Sequence, residues 1–534
     1  MDLNIVLILS SFVVLSSIFL NKFSNKVGIP TLIFFLGVGI FFTHPSGLNI
    51  HFANYLLTEK IASICLIFII FYGGFGTRWE EAKKVVRPAI VLSTFGAVLT
   101  AASVTLFCHF ILHFGLLESF LMGSVISSTD AASVFSIIRS RRLSLKYRTS
   151  SLLEIESGSN DPASYLLTII AIGLLNKDMS QSQVIVSIFS QIIFGLLFGF
   201  LAFKICKLFL TKIKIAEGFD IILIFAISIL TFSATSYING NGYLAVYLYG
   251  ILLGNSKMKN KVALVYFYDA FTNLMQIALF FTLGFLSDFH LIVKNMPIAF
   301  LIFLFLTFIA RPLVVEGAMA FFKPKMAQKA VISVAGLRGA ASIVFAIMAR
   351  NQIVGTTQLD IFHVTFGIVL LSILIQGSLL PFVSTKLDMI DLLQDPLKSF
   401  TDYSNETPIE FITFVVDGNH FWKDKKLEEM DISRALLVVF INRNGERILP
   451  NGKTVIREGD KIVCIAKSFT QGSDIHINEV KIEEDNAHIG TKLKDFEKEM
   501  LVILINRGGK YIIPRGDNKL LAGDKVLYLE SADL

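Results

Sequence analysis

Charge is scarce in this chain. Asp, Glu, Lys and Arg make up 17% of its 534 residues, against 54% hydrophobic residues. An ordinary soluble domain carries more charge and less apolar bulk, so a soluble globular protein is excluded and a polytopic membrane protein remains. Cysteine is scarcer still. Cys65, Cys108, Cys206 and Cys464 lie far apart, three of them in apolar segments, with no metal-ligand spacing, and they read as small core residues. Signatures of catalysis are missing as well: there is no His-Glu-x-x-His, no Gly-x-Ser-x-Gly and no phosphate-binding loop, so no enzyme and no cofactor are expected. The net charge of +6 is dispersed over loops between apolar segments and forms no patch suited to a phosphate backbone, which argues against nucleic acid as a partner. The start, Met1-Asp2-Leu3, supplies no basic region, and the apolar run Leu3 to Leu20 ends without an Ala-x-Ala site, so a retained membrane helix is expected rather than a cleaved signal.

What the chain has is apolar runs of spanning length. Thirteen are counted, at about 3–21, 29–43, 58–76, 87–113, 116–138, 149–175, 182–210, 219–238, 242–254, 264–287, 291–322, 328–350 and 359–385. The second and ninth are short enough to be broken or re-entrant. Basic residues test the count, because those facing the cytosol should recur in every second loop. The alternate loops from Lys22 to Lys329 hold 21 of them, and the intervening loops hold Lys177, Lys294 and Arg350. This pattern expects the N-terminus outside, the C-terminus in the cytosol, and a lipid-embedded chain in the cytoplasmic (inner) membrane.

Two repeats follow. Thr129-Asp130-Ala131-Ala132-Ser133 in the fifth span can be laid on Arg338-Gly339-Ala340-Ala341-Ser342 in the twelfth, and Ser157 to Pro162 on Gln376 to Pro381. The fifth span runs inward and the twelfth outward, so the copies are inverted, a sequence mark of secondary transporters with a site near the midplane. Beyond Leu387 the charge density rises. There Ile441-Asn442-Arg443-Asn444-Gly445, Leu449-Pro450-Asn451-Gly452 and Gly459-Asp460-Lys461 recur as Ile505-Asn506-Arg507-Gly508-Gly509, Ile513-Pro514-Arg515-Gly516 and Gly523-Asp524-Lys525. The expected organisation is an all-α polytopic membrane domain over 1–390, a linker over 391–407, and an α+β tail of two modules, 408–470 and 471–534.

The residues able to carry chemistry cluster in the sixth span, where Glu156, Ser157, Asn160 and Asp161 occupy adjoining helical faces. Pro162 lacks an N–H, so the carbonyl of Gly158 loses its helical donor. A freed carbonyl beside a carboxylate and an amide suits a monovalent cation, which takes oxygen ligands. A charge at a helix centre costs about 2.5 to 3.5 kcal/mol on insertion scales, and Asp130, Glu156, Asp161, Arg311 and Arg338 all fall within spans. Pairing is therefore expected, with Glu156 assigned to Arg338, Arg311 as the other candidate, and Asp161 left to work beside Asp130. Thr129, Ser157 and Asn160 serve either as ligands or as interhelical hydrogen bonds. Asp269 and Glu316 have no evident partner, and His109, His113 and His363 read as interfacial rings near span ends.

Thr129-Asp130, Glu156-Ser157-x-x-Asn160-Asp161 and Gly336-Leu337-Arg338-Gly339 resemble the motifs of the monovalent cation/proton antiporters, in their Asn-Asp branch. The resemblance covers about residues 1–390. The tail resembles the TrkA-C (RCK C-terminal) module twice over, as in NhaP-type potassium/proton antiporters. The resemblance implies about thirteen helices in inverted repeats, crossed discontinuous fifth and twelfth spans, and a homodimer. It also implies a cation (K+ or Na+) and proton site at Asp161, Asp130, Thr129, Ser157 and Asn160, with Glu156 and Arg338 as a stabilising pair. Gly158-Ser159 departs from the bulkier apolar residues common in the family. If Asp161 alone exchanges its proton, the exchange is one for one and electroneutral. The alternative is a ligand-gated cation channel, against which stands the lack of a Thr-Val-Gly-Tyr-Gly filter. Asn442, Arg443, Asn506 and Arg507 are candidates for docking a nucleotide or cyclic dinucleotide effector, the alternative being a dimerisation module without a ligand.

Overall fold

The computed structural model describes residues 4, 11–19, 31–44, 54–77, 79–130, 133–134, 137–138, 145–212, 216, 218–256, 258, 261–390, 409–418, 420–430, 436–443, 446–448, 450–467, 477–482, 489–490, 492–493, 500–507, 510–512, 514 and 516–530. The chain divides into two units, 1–403 and 404–534. The expected linker lies outside the described residues.

The first unit is helical, and each expected span corresponds to a helix or a broken pair. The helices are α1 (11–19), α2 (Thr31–Thr43), α3 (Tyr55–Gly76), α4 (Val86–Phe110), α5 (Leu116–Val125), α6 (Thr149–Leu175), α7 (Gln181–Lys212), α8 (Phe219–Tyr237), α9 (Gly242–Gly254) and α10 (Lys261–Leu286). They continue as α11 (Phe289–Phe322), α12 (Met326–Val334), α13 (Ala340–Gln352) and α14 (Ile361–Lys386). Seven of the described helices are long and apolar enough to cross a membrane, and α2, α5 and α9 are shorter apolar helices. The second and ninth spans are thus short, unbroken helices of 13 residues each.

Two bundles emerge from who packs on whom. In the first, α3 packs on α9 and α10, α2 on α10, and α7 on α8 and α9. In the second, α4 packs on α5, α6 and α11, while α14 packs on α11, α12 and α13. Small residues set the spacing in the first bundle: a Cβ on Gly39 would meet the backbone of Phe281 and Phe285 in α10, and one on Gly250 would meet the carbonyl of Phe71 in α3. Where hydrocarbon offers no hydrophobic drive between helices, such close backbone approach supplies the packing. The second bundle is built from the two inverted copies, α4–α6 and α11–α14. The bundles meet where α13 lies on α3 and α6 on α9.

The fifth span unwinds after Val125 and is helical again at 133–134 and 137–138. The twelfth breaks between Val334 and Ala340. Single π-helical turns interrupt α11 at Leu306–Ala310 and α14 at Ser372–Gln376, a feature often found at functional sites. All four cysteines are free and buried. Asp269 accepts from the Tyr72 hydroxyl at 3.0 Å and Glu316 pairs with Lys329 at 2.6 Å. The interfacial reading of His363 is corrected: the ring is fully buried and bonded through Nδ1 to Asp360 at 2.7 Å, because Asp360 caps α14 one turn earlier.

The second unit holds two four-stranded antiparallel sheets of the same order. The first runs β1 (Ile409–Val415), β4 (Lys461–Lys467), β2 (Leu436–Arg443), β3 (Glu446–Ile448). The second runs β5 (Ile477–Lys481), β8 (Lys525–Glu530), β6 (Met500–Arg507), β7 (Lys510–Ile512). The register slips at matching places, between Val438 and Phe440 and between Val502 and Leu504. The repeated Asn-Arg and Gly-Asp-Lys now have a cause. Arg443 grips Asp460 through Nε and Nη2, both at 2.8 Å, and Arg507 grips Asp524 in the same way. Gly459 and Gly523, at φ +84° and +85°, take the left-handed turn that delivers each aspartate.

Both guanidinium groups thereby hold their own module together, a structural role for Arg443 and Arg507 beside the effector contacts expected of them. Burial by itself would raise the Asp460 and Asp524 carboxyls, but the paired arginines and the N–H groups of Arg457 and Leu521 hold them below the ordinary carboxylate range. A carboxylate depressed by folding adds stability that is complete above its unfolded value of about 3.9 and is lost as pH falls through the folded value. The first module should therefore lose stability below about pH 4. Asp460→Asn should remove that component and destabilise the module by about 2 kcal/mol at neutral pH. Urea unfolding followed at the buried Trp422 reads both effects.

Candidate ion-binding site

The site starts from two unwound segments that abut. The backbone N–H of Asp130 donates to the carbonyl of Leu337 at 2.8 Å, so the fifth-span break is stitched to the twelfth-span break. Arg338 completes the joint. Its Nη1 donates to the carbonyls of Ile126, Ser127 and Ser128 at 2.6, 2.8 and 2.9 Å, the groups that unwinding leaves without helical partners. Its own N–H donates to the Ser372 hydroxyl at 2.9 Å, and that hydroxyl donates to Gln376 across the π turn of α14.

Two glycines of the Gly336-Leu337-Arg338-Gly339 motif follow from crowding. A Cβ on Gly339 would overlap the Asp130 side chain, and one on Gly336 would meet Arg311 Nε at 2.6 Å. Gly336 thereby lets Arg311 through to α6, where its Nη2 pairs with Glu156 Oε1 at 2.5 Å. Glu156 pairs with Arg311 and not, as expected, with Arg338. The physical reason is that the freed carbonyls of the fifth span take Arg338, while the π turn just before Arg311 swings that residue towards α6. Arg338, Glu156 and Arg311 are 1%, 1% and 3% exposed, so this is a dry ion pair beside a dry cation held by carbonyl oxygens.

Asp161, one turn beyond Glu156 and Ser157, accepts a short hydrogen bond from the Ser128 hydroxyl of the unwound segment. The amide of Asn160 donates to Thr129 Oγ1 at 2.5 Å, and Thr129 shares a hydrogen bond with Ser157 at 3.0 Å. Asp130 accepts from the Ser133 hydroxyl at 2.5 Å and from its N–H at 3.3 Å, the geometry of an N-cap on the helical turn that follows the break. It lies near enough to Asp161 for the two charges to interact. Asp161, Asp130, Thr129, Ser157 and Asn160 thus converge around one crossing. Ser128, Ser133, Ser372 and Gln376 were missed, although the run Ser127-Ser128-Thr129 directly before Asp130 was the available signal.

This arrangement brings a carboxylate, hydroxyls and an amide together, oxygen donors of the kind a monovalent cation takes. It presents no set of His, Cys, Asp and Glu for a multivalent metal among the described residues. A double-mutant cycle in detergent-solubilised protein checks the pairing. Arg311→Gln and Glu156→Gln should each lower stability by about 3 to 5 kcal/mol, and the double variant should cost far less than their sum. The cycle of Glu156→Gln with Arg338→Gln should show the weaker coupling.

Residues 10–386 match the family described as sodium/hydrogen exchanger, transmembrane, and residues 477–527 match the TrkA-C domain. The module over 408–470 lies outside that second match yet shares its strand order and its Arg-Asp clasp. The K(+)/H(+) antiporter NhaP of Alkalimonas amylolytica is 31% identical over 474 residues, 87% of this chain and 82% of that protein. The K(+)/H(+) antiporter NhaP2 of Shewanella sp. strain MR-4 is 30% identical over 91% of this chain and 85% of its own length. The solved structure of the sodium proton antiporter MjNhaP1 from Methanocaldococcus jannaschii at pH 8 superposes with a TM-score of 0.63 at 21% identity, covering 71% of this chain and all of that one. With the family match spanning most of the membrane unit and relatives aligned along nearly the whole chain, this protein belongs to the sodium/hydrogen exchanger family.

Proposed function

We propose that the protein exchanges one monovalent cation for one proton at Asp161, and that the cation is potassium or sodium. The relatives named K(+)/H(+) antiporters favour potassium. The observation that carries this reading is the Asp161 carboxylate, set between the Ser128 hydroxyl and the Asn160–Thr129–Ser157 chain at the crossing of two broken spans. A carboxylate so placed holds a proton or a cation but not both, and that competition couples the two fluxes. Since Glu156 is neutralised by Arg311 and Asp130 caps a helix, Asp161 is the group left to exchange.

Alternating access in this reading is a movement of the second bundle, which carries the site, against the first. Contacts across their boundary close one side in the present arrangement. One turn beyond Asp161, Tyr165 of α6 and Phe345 of α13 meet Tyr243 of α9 with ring centroids 5.0 to 5.9 Å apart. Further along, Asn351 donates to Glu59 of α3 at 2.6 Å and the Arg350 guanidinium lies 4.1 Å over the Tyr55 ring. The alternation of basic loops supports an outward-facing position for this seal, with the N-terminus outside, the tail in the cytosol and the chain in the cytoplasmic membrane. A homodimer, and regulation by the tail, belong to the same proposal on the strength of the family resemblance and the TrkA-C match.

Everted vesicles carrying the full chain should dequench a pH dye when potassium or sodium is added. The apparent KM for the cation should rise as pH falls while the maximal rate stays constant, the mark of competition for one carboxylate. Asp161→Asn should abolish the exchange; retained exchange in that variant would mean that another group carries the proton and the cation.

A further inference from the structure

The first bundle places a polar group of its own against the helix that carries Asp161. Gly158, one turn before Pro162 in α6, faces the ring of Tyr247 in α9, and a Cβ there would meet the Tyr247 hydroxyl at 2.7 Å. This is the position where the sequence departs from bulkier apolar residues. The departure has a consequence in space, because the missing side chain lets a tyrosine from the other bundle lie directly on the helix that carries Asp161.

Tyr247 is 4% exposed, yet its hydroxyl makes no well-formed hydrogen bond among the described residues, having only loose approaches to the Ser159 and Thr77 hydroxyls. Buried tyrosine hydroxyls ordinarily find a partner, and one that does not needs a reason. Its surroundings supply one. The hydroxyl lies near those of Ser159 and Thr77 and within electrostatic reach of Glu154 and Asp161. The residue it packs on, Gly158, has a carbonyl deprived of its helical N–H by Pro162. The Oδ1 of Asn160 is likewise buried without a hydrogen-bond partner among the described residues. The Tyr247 hydroxyl and the Gly158 carbonyl thus offer unused lone pairs on the turn of α6 that precedes Asp161, while Asn160 faces Thr129 on the other side of the helix. Dehydrated monovalent cations are held by such uncharged oxygens, carbonyl oxygens above all.

We propose that Tyr247 is a specificity-determining ligand of the ion path, its hydroxyl coordinating the partly dehydrated cation together with the Gly158 carbonyl as the ion moves between Glu154 and Asp161. The proposal rests on the exchange reading of Asp161 and deepens it. Because α9 belongs to the first bundle and α6 to the second, this contact exists only in the present arrangement of the two. Tyr247 thus strengthens cation binding on one side of the membrane and releases its hold when the second bundle moves.

Tyr247→Phe keeps the ring against Gly158 and removes the hydroxyl alone. In proteoliposomes of the full chain, with potassium and sodium tested separately, the apparent KM for the transported cation should rise roughly tenfold, the size of one lost contact to a charge. The maximal rate should stay within about twofold, and the preference between the two cations should narrow. A packing role would leave KM untouched, so wild-type KM for both cations overturns the proposal, as does a fall in maximal rate at constant KM. Should Tyr247→Phe fail to fold, Tyr247→Met in the same assay carries the same expectation. Asp161→Asn run alongside separates the two levels: exchange that survives there overturns the underlying site, whereas a dead Asp161→Asn beside a wild-type Tyr247→Phe overturns the tyrosine alone.

Discussion

The joint made by Arg338 is the constraint on which the rest depends. Unwinding two helices in a hydrocarbon-filled layer exposes backbone groups that water cannot satisfy, each at a cost of several kcal/mol. One guanidinium answers three of those carbonyls on the fifth span from its seat in the twelfth, and the reciprocal N–H of Asp130 answers Leu337. Without that joint, neither break would be tolerable at this depth. With it, Ser128 and Thr129 are free of helical duty and turn their hydroxyls towards α6.

Charge is then distributed by what each group has left to bind. Arg338 is held by carbonyl oxygens, so Glu156 needs another cation and takes Arg311, whose approach Gly336 permits. Asp130 is used as a cap. Asp161 has a single hydroxyl donor, Ser128, and that imbalance is the reason for proposing it as the exchanging group. The tail solves a smaller version of the same problem, each buried aspartate being matched to one arginine seventeen residues earlier in the chain.

Much of this was legible in the sequence. Polar residues in an apolar run stand out against a background that cannot tolerate them, so Asp161, Asn160, Ser157, Thr129 and Asp130 stood out as candidates, and the fold brings them close together. The thirteen runs anticipated the helices because spanning length is a property of local composition. The partner of Glu156 was not legible, since two span-borne arginines compete for it and the outcome turns on a π turn and on the reach permitted by one glycine. Tyr247 was hidden for a different reason. An aromatic residue in a membrane helix reads as packing, and only the absence of a side chain at Gly158, on another helix, turns its hydroxyl towards the site. The first strand of each module, β1 and β5, escaped notice because the repeat lies in the turns that follow them.

One carboxylate shared between a proton and a cation is the central claim, and its charge balance is measurable. In proteoliposomes with the membrane potential clamped by an ionophore for an ion other than the substrates, cation/proton exchange should run at the same rate at zero and at about −100 mV, and a potential alone should drive no proton movement. Exchange that accelerates with voltage, or a pH gradient built by the potential in the absence of a cation gradient, would contradict one-for-one exchange at Asp161.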